Sequence, residues 1–154
     1  MNGGYDKAIC AVMLYSYPML EDKCEMIDKD IYHTAIYSAF KNTMETYKEI
    51  EQLTNEKIAY INVKVIVEQG ISNLGRSYEI VQHHLKGVRV LELTQRLGVA
   101  ERTIRGRLAR QRAKLYEEIL KIYKAEDLLD IISSSQWLMY RYRRELKQSN
   151  KNEP

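Results

Sequence analysis

Apolar residues recur every three to four positions along most of this chain, the spacing that lays one stripe along an α-helix. Residues from about Asp6 to Tyr17 predict a first helix, and Pro18 marks a kink or the start of the next. From Met19 to about Leu53 the stripe runs Leu20, Cys24, Ile27, Ile31, Ile36, Phe40, Met44 and Tyr47, with charged residues between. That pattern predicts one long or two abutting amphipathic helices. A helix of that length is stable only against a partner, so an antiparallel hairpin or a dimeric coiled coil is expected. Thr54–Asn55 offers the next N-cap, opening an element from Glu56 to Leu74. Within it Ile61 to Val67 alternates and is β-branched, as a strand would be, but length and the lack of turn signals favour a helix. Gly75 stands where that helix ends and Ser77 where the next begins. By spacing, the helix Tyr78–Leu85 buries Ile80, Val81, His84 and Leu85, and Gly87 ends it. The polar tail Ser149–Pro154 is expected to fray.

Composition changes this picture little. Seven Gly and two Pro in 154 residues leave few turn formers, which disfavours a many-stranded sandwich or barrel. Cys10 and Cys24 have neither metal-ligand spacing nor a disulfide framework, so a reducing cytoplasm is the expected location. The apolar run Ala8–Leu20 lacks a small-residue cleavage site and is too short to cross a bilayer, so neither a signal peptide nor membrane attachment is expected. His83-His84 reads as one core and one solvent histidine rather than a ligand pair, and His33 is isolated. With no glycine-rich phosphate loop and no nucleophile beside a base, neither catalysis nor a cofactor is expected. Twelve tyrosines stand against one phenylalanine, and nothing in the pattern accounts for them.

Charge is more informative than composition. A net charge of +3 is too mild to imply a polyanionic partner, but its distribution is uneven. From Lys86 to Lys114 nine Lys and Arg face only Glu92 and Glu101, a net +7 that leaves −4 for the rest of the chain. A basic block in an otherwise acidic protein is an electrostatic footprint for a polyanion, although a charge run alone is as readily a solvated face.

The same block carries a structural pattern centred on Leu93–Leu115. A short helix places Val90, Leu93 and Leu97 on one face; Gly98 turns the chain, and Val99 plugs the corner. A second helix follows with Ile104, Leu108 and Leu115 inward. This is the helix-turn-helix layout, whose second helix enters the major groove of DNA. With that stripe inward, Arg102, Gly106, Ala109 and Ala113 point outward. Arg105 and Arg112 lie on one shoulder, and Thr103, Arg107 and Arg110 towards the other. Small residues at the centre of an exposed face admit close approach to the groove floor, where arginines on the shoulders reach guanine edges or phosphates. Arg102 and Arg105, near the helix N-terminus, are the candidates for base contacts, and Glu101 can accept from cytosine N4. Arg107, Arg110, Arg112 and Lys114 are phosphate candidates, with Thr103, Gly106 and Arg89 completing the candidate interface.

At Leu93-Thr94-Gln95-Arg96-Leu97-Gly98-Val99-Ala100-Glu101-Arg102-Thr103-Ile104-Arg105 the chain resembles region four of the sigma-70 family of sigma factors, and Tyr78 to Gly87 resembles the scaffold preceding it. The resemblance covers about Leu74–Leu115. It implies recognition of a promoter element and contact with RNA polymerase. The wider arrangement, with Leu14-Tyr15-Ser16-Tyr17-Pro18 in a helical N-terminal part, resembles small phage-encoded transcription regulators of the ArpU/RinA type. Two positions depart from the family. Ala100 stands where a Ser or Thr cap is usual, a cost of roughly 1 kcal/mol, and Thr94 replaces an Ala. No segment resembles region two, so autonomous promoter melting is not expected.

The fold expected is therefore all-α: a helical hairpin or coiled-coil region over 1–74, a sigma region-four-like helix-turn-helix domain over 75–123, and a C-terminal helix over 124–148. On that last helix, starting near Asp127, Leu128, Ile131, Ile132, Ser135, Met139, Tyr142 and Leu146 form one stripe. Trp137, Tyr140, Arg141 and Arg144 fall opposite, either as a contact surface for protein or phosphate or as a second buried face. The functional expectation is a double-stranded DNA-binding transcription regulator, acting as a homodimer, that contacts RNA polymerase. Two other readings fit the same residues: a DNA-packaging subunit of the small terminase type, and a helical adaptor that binds protein only.

Overall fold

A computed structural model describes residues 3–75 and 78–152 of the chain. Among them every regular element is helical and no strand occurs, as the scarcity of turn formers predicts. The order is α1 (Gly3–Ser16), α2 (Leu20–Ile36), α3 (Thr43–Leu74), α4 (Glu79–Leu85), α5 (Val90–Leu97), α6 (Glu101–Ile122), α7 (Ala125–Ser133) and α8 (Gln136–Asn152). None of the described helices is long and apolar enough to cross a membrane.

α1 is apolar on nearly every side, and a helix of that kind must be surrounded. Ala8, Ile9, Cys10, Val12, Met13 and Leu14 are all buried, and α1 packs chiefly on α8, with further contacts to α3, α7 and α6. Pro18 then sits inside a single 3-10 turn, Tyr17–Met19, that redirects the chain into α2. Fixed φ and a missing N–H suit proline to such a first turn.

α2 and α3 form the expected hairpin. Lys57 pairs with Asp28 at 2.6 Å and Lys64 with Glu21 at 2.7 Å, a register that only antiparallel helices give. The turn between them ends at Asn42, whose side chain accepts from the Met44 N–H at 2.8 Å and caps α3. The expected cap at Thr54–Asn55 is not used. The Thr54 hydroxyl donates instead to the Ile50 carbonyl one turn back, at 2.7 Å, and α3 runs unbroken through it. The β-branched stretch is helical too, burying Val63, Ile66 and Val67 at helical spacing. Only the first half of the expected α2–α3 stripe is covered: Leu20 and Ile27 are buried, whereas Ile36, Phe40, Met44 and Tyr47 are exposed.

α3 crosses α6 at Gly70, where a Cβ would lie 2.9 Å from both Ile119 Cγ1 and Leu115 Cδ1. Glycine is what allows the two helices to approach so closely. Gly75 ends α3 as expected, with φ of 71°. The proposed start at Ser77 lies outside the described residues.

The C-terminal part differs from the single helix expected. It breaks at Ser134–Ser135, where the Ser135 hydroxyl accepts from the Leu138 N–H at 3.2 Å and starts α8. The break resets the helical phase, so Leu138 is buried and Met139 only partly so. Ser135 also donates to Glu56 at 3.2 Å and lies 3.3 Å from the Tyr60 hydroxyl, tying the α7–α8 junction to α3. Trp137 packs edge-on against Tyr60 with Lys23 over its ring, and the Arg141 guanidinium lies 3.7 Å from the centre of the Tyr15 ring. Of the four residues expected on the outer face, Tyr140 and Arg144 are exposed, while Trp137 and Arg141 are half-buried. α8 continues to Asn152, into the tail where fraying is expected, and Glu153 and Pro154 lie outside the described residues.

Candidate nucleic-acid interface

α4, α5 and α6 pack around Ile80, Val81, Leu85, Leu93, Ile104 and Leu108, all buried. His84, expected inside, is half-buried, its Nδ1 3.3 Å from the Val88 carbonyl. Burial disfavours its charged form, and the nearby Arg112 guanidinium adds to that, so its pKa lies below the ordinary histidine value.

Gly98 makes the corner. With φ of 63° it is left-handed, a conformation only glycine adopts cheaply, and its N–H closes α5 onto the Thr94 carbonyl at 3.0 Å. Val99 is half-buried against the core, as a corner plug requires. Leu97 is a correction: at 44% exposed it does not belong to the buried face. α5 is only eight residues long, and Leu93 alone among them is buried. Thr94, which departs from the family pattern, donates its hydroxyl to the Val90 carbonyl at 3.0 Å and so needs no partner across the corner. Ala100 takes the extended conformation of an N-cap but has no side-chain oxygen to offer α6.

Gln111 is a positioning residue that the sequence pattern did not single out. Its Oε1 accepts the Val81 backbone N–H at 2.9 Å, locking the scaffold helix α4 to the middle of α6. A glutamine on a basic helix gives no sequence signal for this; only the fold brings it to α4.

The candidate contact residues divide into two groups. Arg102, Thr103, Arg105, Gly106, Arg107, Ala109 and Arg110 are exposed along the first half of α6, and Arg89 is exposed before α5. Arg105 donates to Glu101 through Nε at 3.0 Å and Nη2 at 2.8 Å, so two of the three candidate base contacts are engaged with each other. Arg89 and Arg96 each lie 3.8 Å from Glu92. Arg102, Arg107 and Arg110 have no carboxylate within ion-pair distance among the described residues.

Arg112 and Lys114 are placed differently. Lys114 pairs with Glu117 at 3.1 Å. Arg112 is half-buried, its Nε enclosed without a hydrogen-bond partner among the described residues. It lines a groove of about 590 Å³ with Ala109, Ala113 and Tyr116 of α6 and with Asp6 and Lys7 of α1. The small-residue strip therefore has two surroundings: Gly106 stands in open space, whereas Ala109 and Ala113 border α1. A cavity of about 640 Å³ between the hairpin and the α7–α8 junction is lined by Asp30, Glu49 and Glu56, the wrong sign for a polyanion. Against known proteins, the chain matches no family model, no curated protein and no solved structure.

Proposed function

We propose that the chain is a sequence-specific, double-stranded DNA-binding transcription regulator that reads the major groove with the first half of α6. What carries this reading is the coincidence of three features. An α5–Gly98–α6 corner is packed on its own apolar residues; the outer face of α6 has Gly106 at its centre; and Arg102, Arg107 and Arg110 stand there without acidic partners among the described residues. A solvated charge run needs none of the corner geometry. The uncapped first turn of α6 adds backbone N–H groups that suit a phosphate oxygen.

In this reading Arg102 contacts a base edge, while Arg105 and Glu101 act as a unit that opens when DNA arrives. That pair is surface-exposed, so parting it costs little. Arg107 and Arg110 grip phosphate, and Arg89 reaches the backbone from the start of α5. Arg112 borders the α1 groove and Lys114 follows it in the second half of α6, so both sit outside the reading half of the helix. The resemblance to sigma region four further supports RNA polymerase as a partner, and the acting form in this reading is a homodimer.

Selection of bound fragments from random DNA tests the assignment. The wild-type chain is expected to recover one preferred sequence. Arg102→Ala and Arg105→Ala lose or relax that preference at one position each, by roughly 1–3 kcal/mol of discrimination. Arg107→Ala weakens all sequences alike. If Arg102→Ala and Arg105→Ala both keep the wild-type preference, α6 is not the reading helix.

A further inference from the structure

The tip of the α2–α3 hairpin is the most apolar exposed part of the described chain. Tyr32, Ile36, Tyr37, Phe40, Met44 and Tyr47 are 50–84% exposed, with Phe40 the extreme. Phe40 is the only phenylalanine, and three of the twelve tyrosines, Tyr32, Tyr37 and Tyr47, lie within eight residues of it along the chain. The Tyr37 and Phe40 rings lie 6.4 Å apart, so the turn holds an aromatic pair in solvent. Scattered exposed apolar residues need no explanation, but a cluster of six on one turn and the helix ends flanking it does.

We propose that this tip joins two copies of the chain, Phe40 of each copy entering the apolar pocket of the other. Of the reading above, this rests only on the paired state and needs no DNA. Knob and hole are on the same tip: a mostly apolar pocket of about 330 Å³, lined by Ala35, Ser38, Thr43, Thr46, Tyr47 and Ile50, adjoins the turn that carries Phe40. A surface that bears both is self-complementary, which is what a two-fold interface requires. Charge agrees. Between Tyr32 and Ile50, Lys41 and Lys48 balance Glu45 and Glu49, so two copies meet without repulsion, and a nucleic acid finds no complement there.

Area agrees as well. Aromatic side chains of roughly 150–250 Å² each, exposed to this degree, with Ile36 and Met44, offer on the order of 600 Å² per copy. The pair then buries about 1,200 Å², the lower edge of specific interfaces. The tip also lies far from the reading helix. Along α3 it is about 40 Å from the Gly70 crossing at 1.5 Å per residue, so pairing there leaves α6 of both copies open.

Sedimentation equilibrium of the full chain without DNA, across the micromolar range, tests this. The wild type is expected at twice its 18.1 kDa mass. Phe40→Glu removes the knob and is expected to weaken association at least about 30-fold, the loss of one anchoring residue. Ala35→Trp fills the hole and acts in the same direction. Both positions are exposed, so helical content by circular dichroism stays at the wild-type level. Tyr140→Glu, on an exposed tyrosine of α8, keeps the dimer. A monomeric wild type, a ring of eight or more subunits, or a dimer that survives both tip substitutions overturns the proposal. The Phe40→Glu monomer still selects the wild-type DNA half-site, so loss of pairing and loss of DNA reading are separate results.

Discussion

At the scale of single residues, Gly70 and His84 carry the clearest consequences. Alanine at Gly70 would gain about 1 kcal/mol of helix propensity, but its Cβ meets Ile119 Cγ1 and Leu115 Cδ1 at 2.9 Å. Cγ1 is not the free end of a side chain, so α3 and α6 must move apart. Overpacking of this kind costs about 1–3 kcal/mol, and Gly70→Ala is expected to lower stability by a net 1 kcal/mol or so, read from urea unfolding. A more stable variant would mean that the crossing yields easily. His84 titrates. Its folded-state pKa is depressed by burial and Arg112, so the folded protein resists protonation more than the unfolded chain does. Stability from His84 is thus complete above about pH 6.5 and is lost as pH falls through and below that value. The thermal midpoint should drop over that window, and His84→Gln should remove that component. Glu21, held low by Lys64, adds its own loss only in the carboxylate range.

At the scale of elements, the N-terminus of α6 is a site of easy improvement. Ala100 already has cap-like φ and ψ of −59° and 145°, yet supplies no acceptor. Ala100→Ser is expected to stabilise the chain by about 0.5–1 kcal/mol, seen as a higher urea midpoint with an unchanged slope. Elements with strong local punctuation were legible in the sequence. Pro18 and Gly98 break or turn the chain for reasons internal to those residues, and the Ile104–Leu108–Leu115 stripe is buried as its spacing requires. What was not legible depended on partners distant in sequence. Thr54 reads as a cap, but a threonine also bonds back one turn, and packing of α3 on α2 chooses the second. Ser133, Ser134 and Ser135 were equally compatible with a continued helix; the bonds of Ser135 to Glu56 and Tyr60 select the break. That break moved Trp137 and Arg141 from an outer face onto Tyr60 and Tyr15. In the candidate site, the exposed first half of α6 follows from periodicity alone, whereas the covering of Arg112 requires α1, about a hundred residues earlier.

At the scale of the whole molecule, charge and pairing in the proposed reading set how DNA affinity responds to salt. Each phosphate neutralised by the protein releases counterions and contributes about −0.9 to the slope of log K against log salt. Arg107 and Arg110, with no acid near them among the described residues, and Arg89, a loose 3.8 Å from Glu92, are the phosphate contacts of this reading, so little internal rearrangement stands between them and phosphate. If all three engage, one copy gives a slope of about −3, and two copies held by their hairpin tips on two half-sites give about −5. Arg102 and Arg105, on base edges in this reading, neutralise no phosphate and leave these values unchanged. Phe40→Glu, a substitution remote from every arginine of α6, is therefore expected to bring the slope from about −5 to about −3 while leaving the preferred half-site unchanged. Arg107→Ala in the paired protein removes two contacts and reduces it by about 2. Filter-binding titrations at several salt concentrations measure both. A wild-type affinity indifferent to salt would leave the net +7 of Lys86 to Lys114 with no polyanion to hold, and the protein-only reading would take its place.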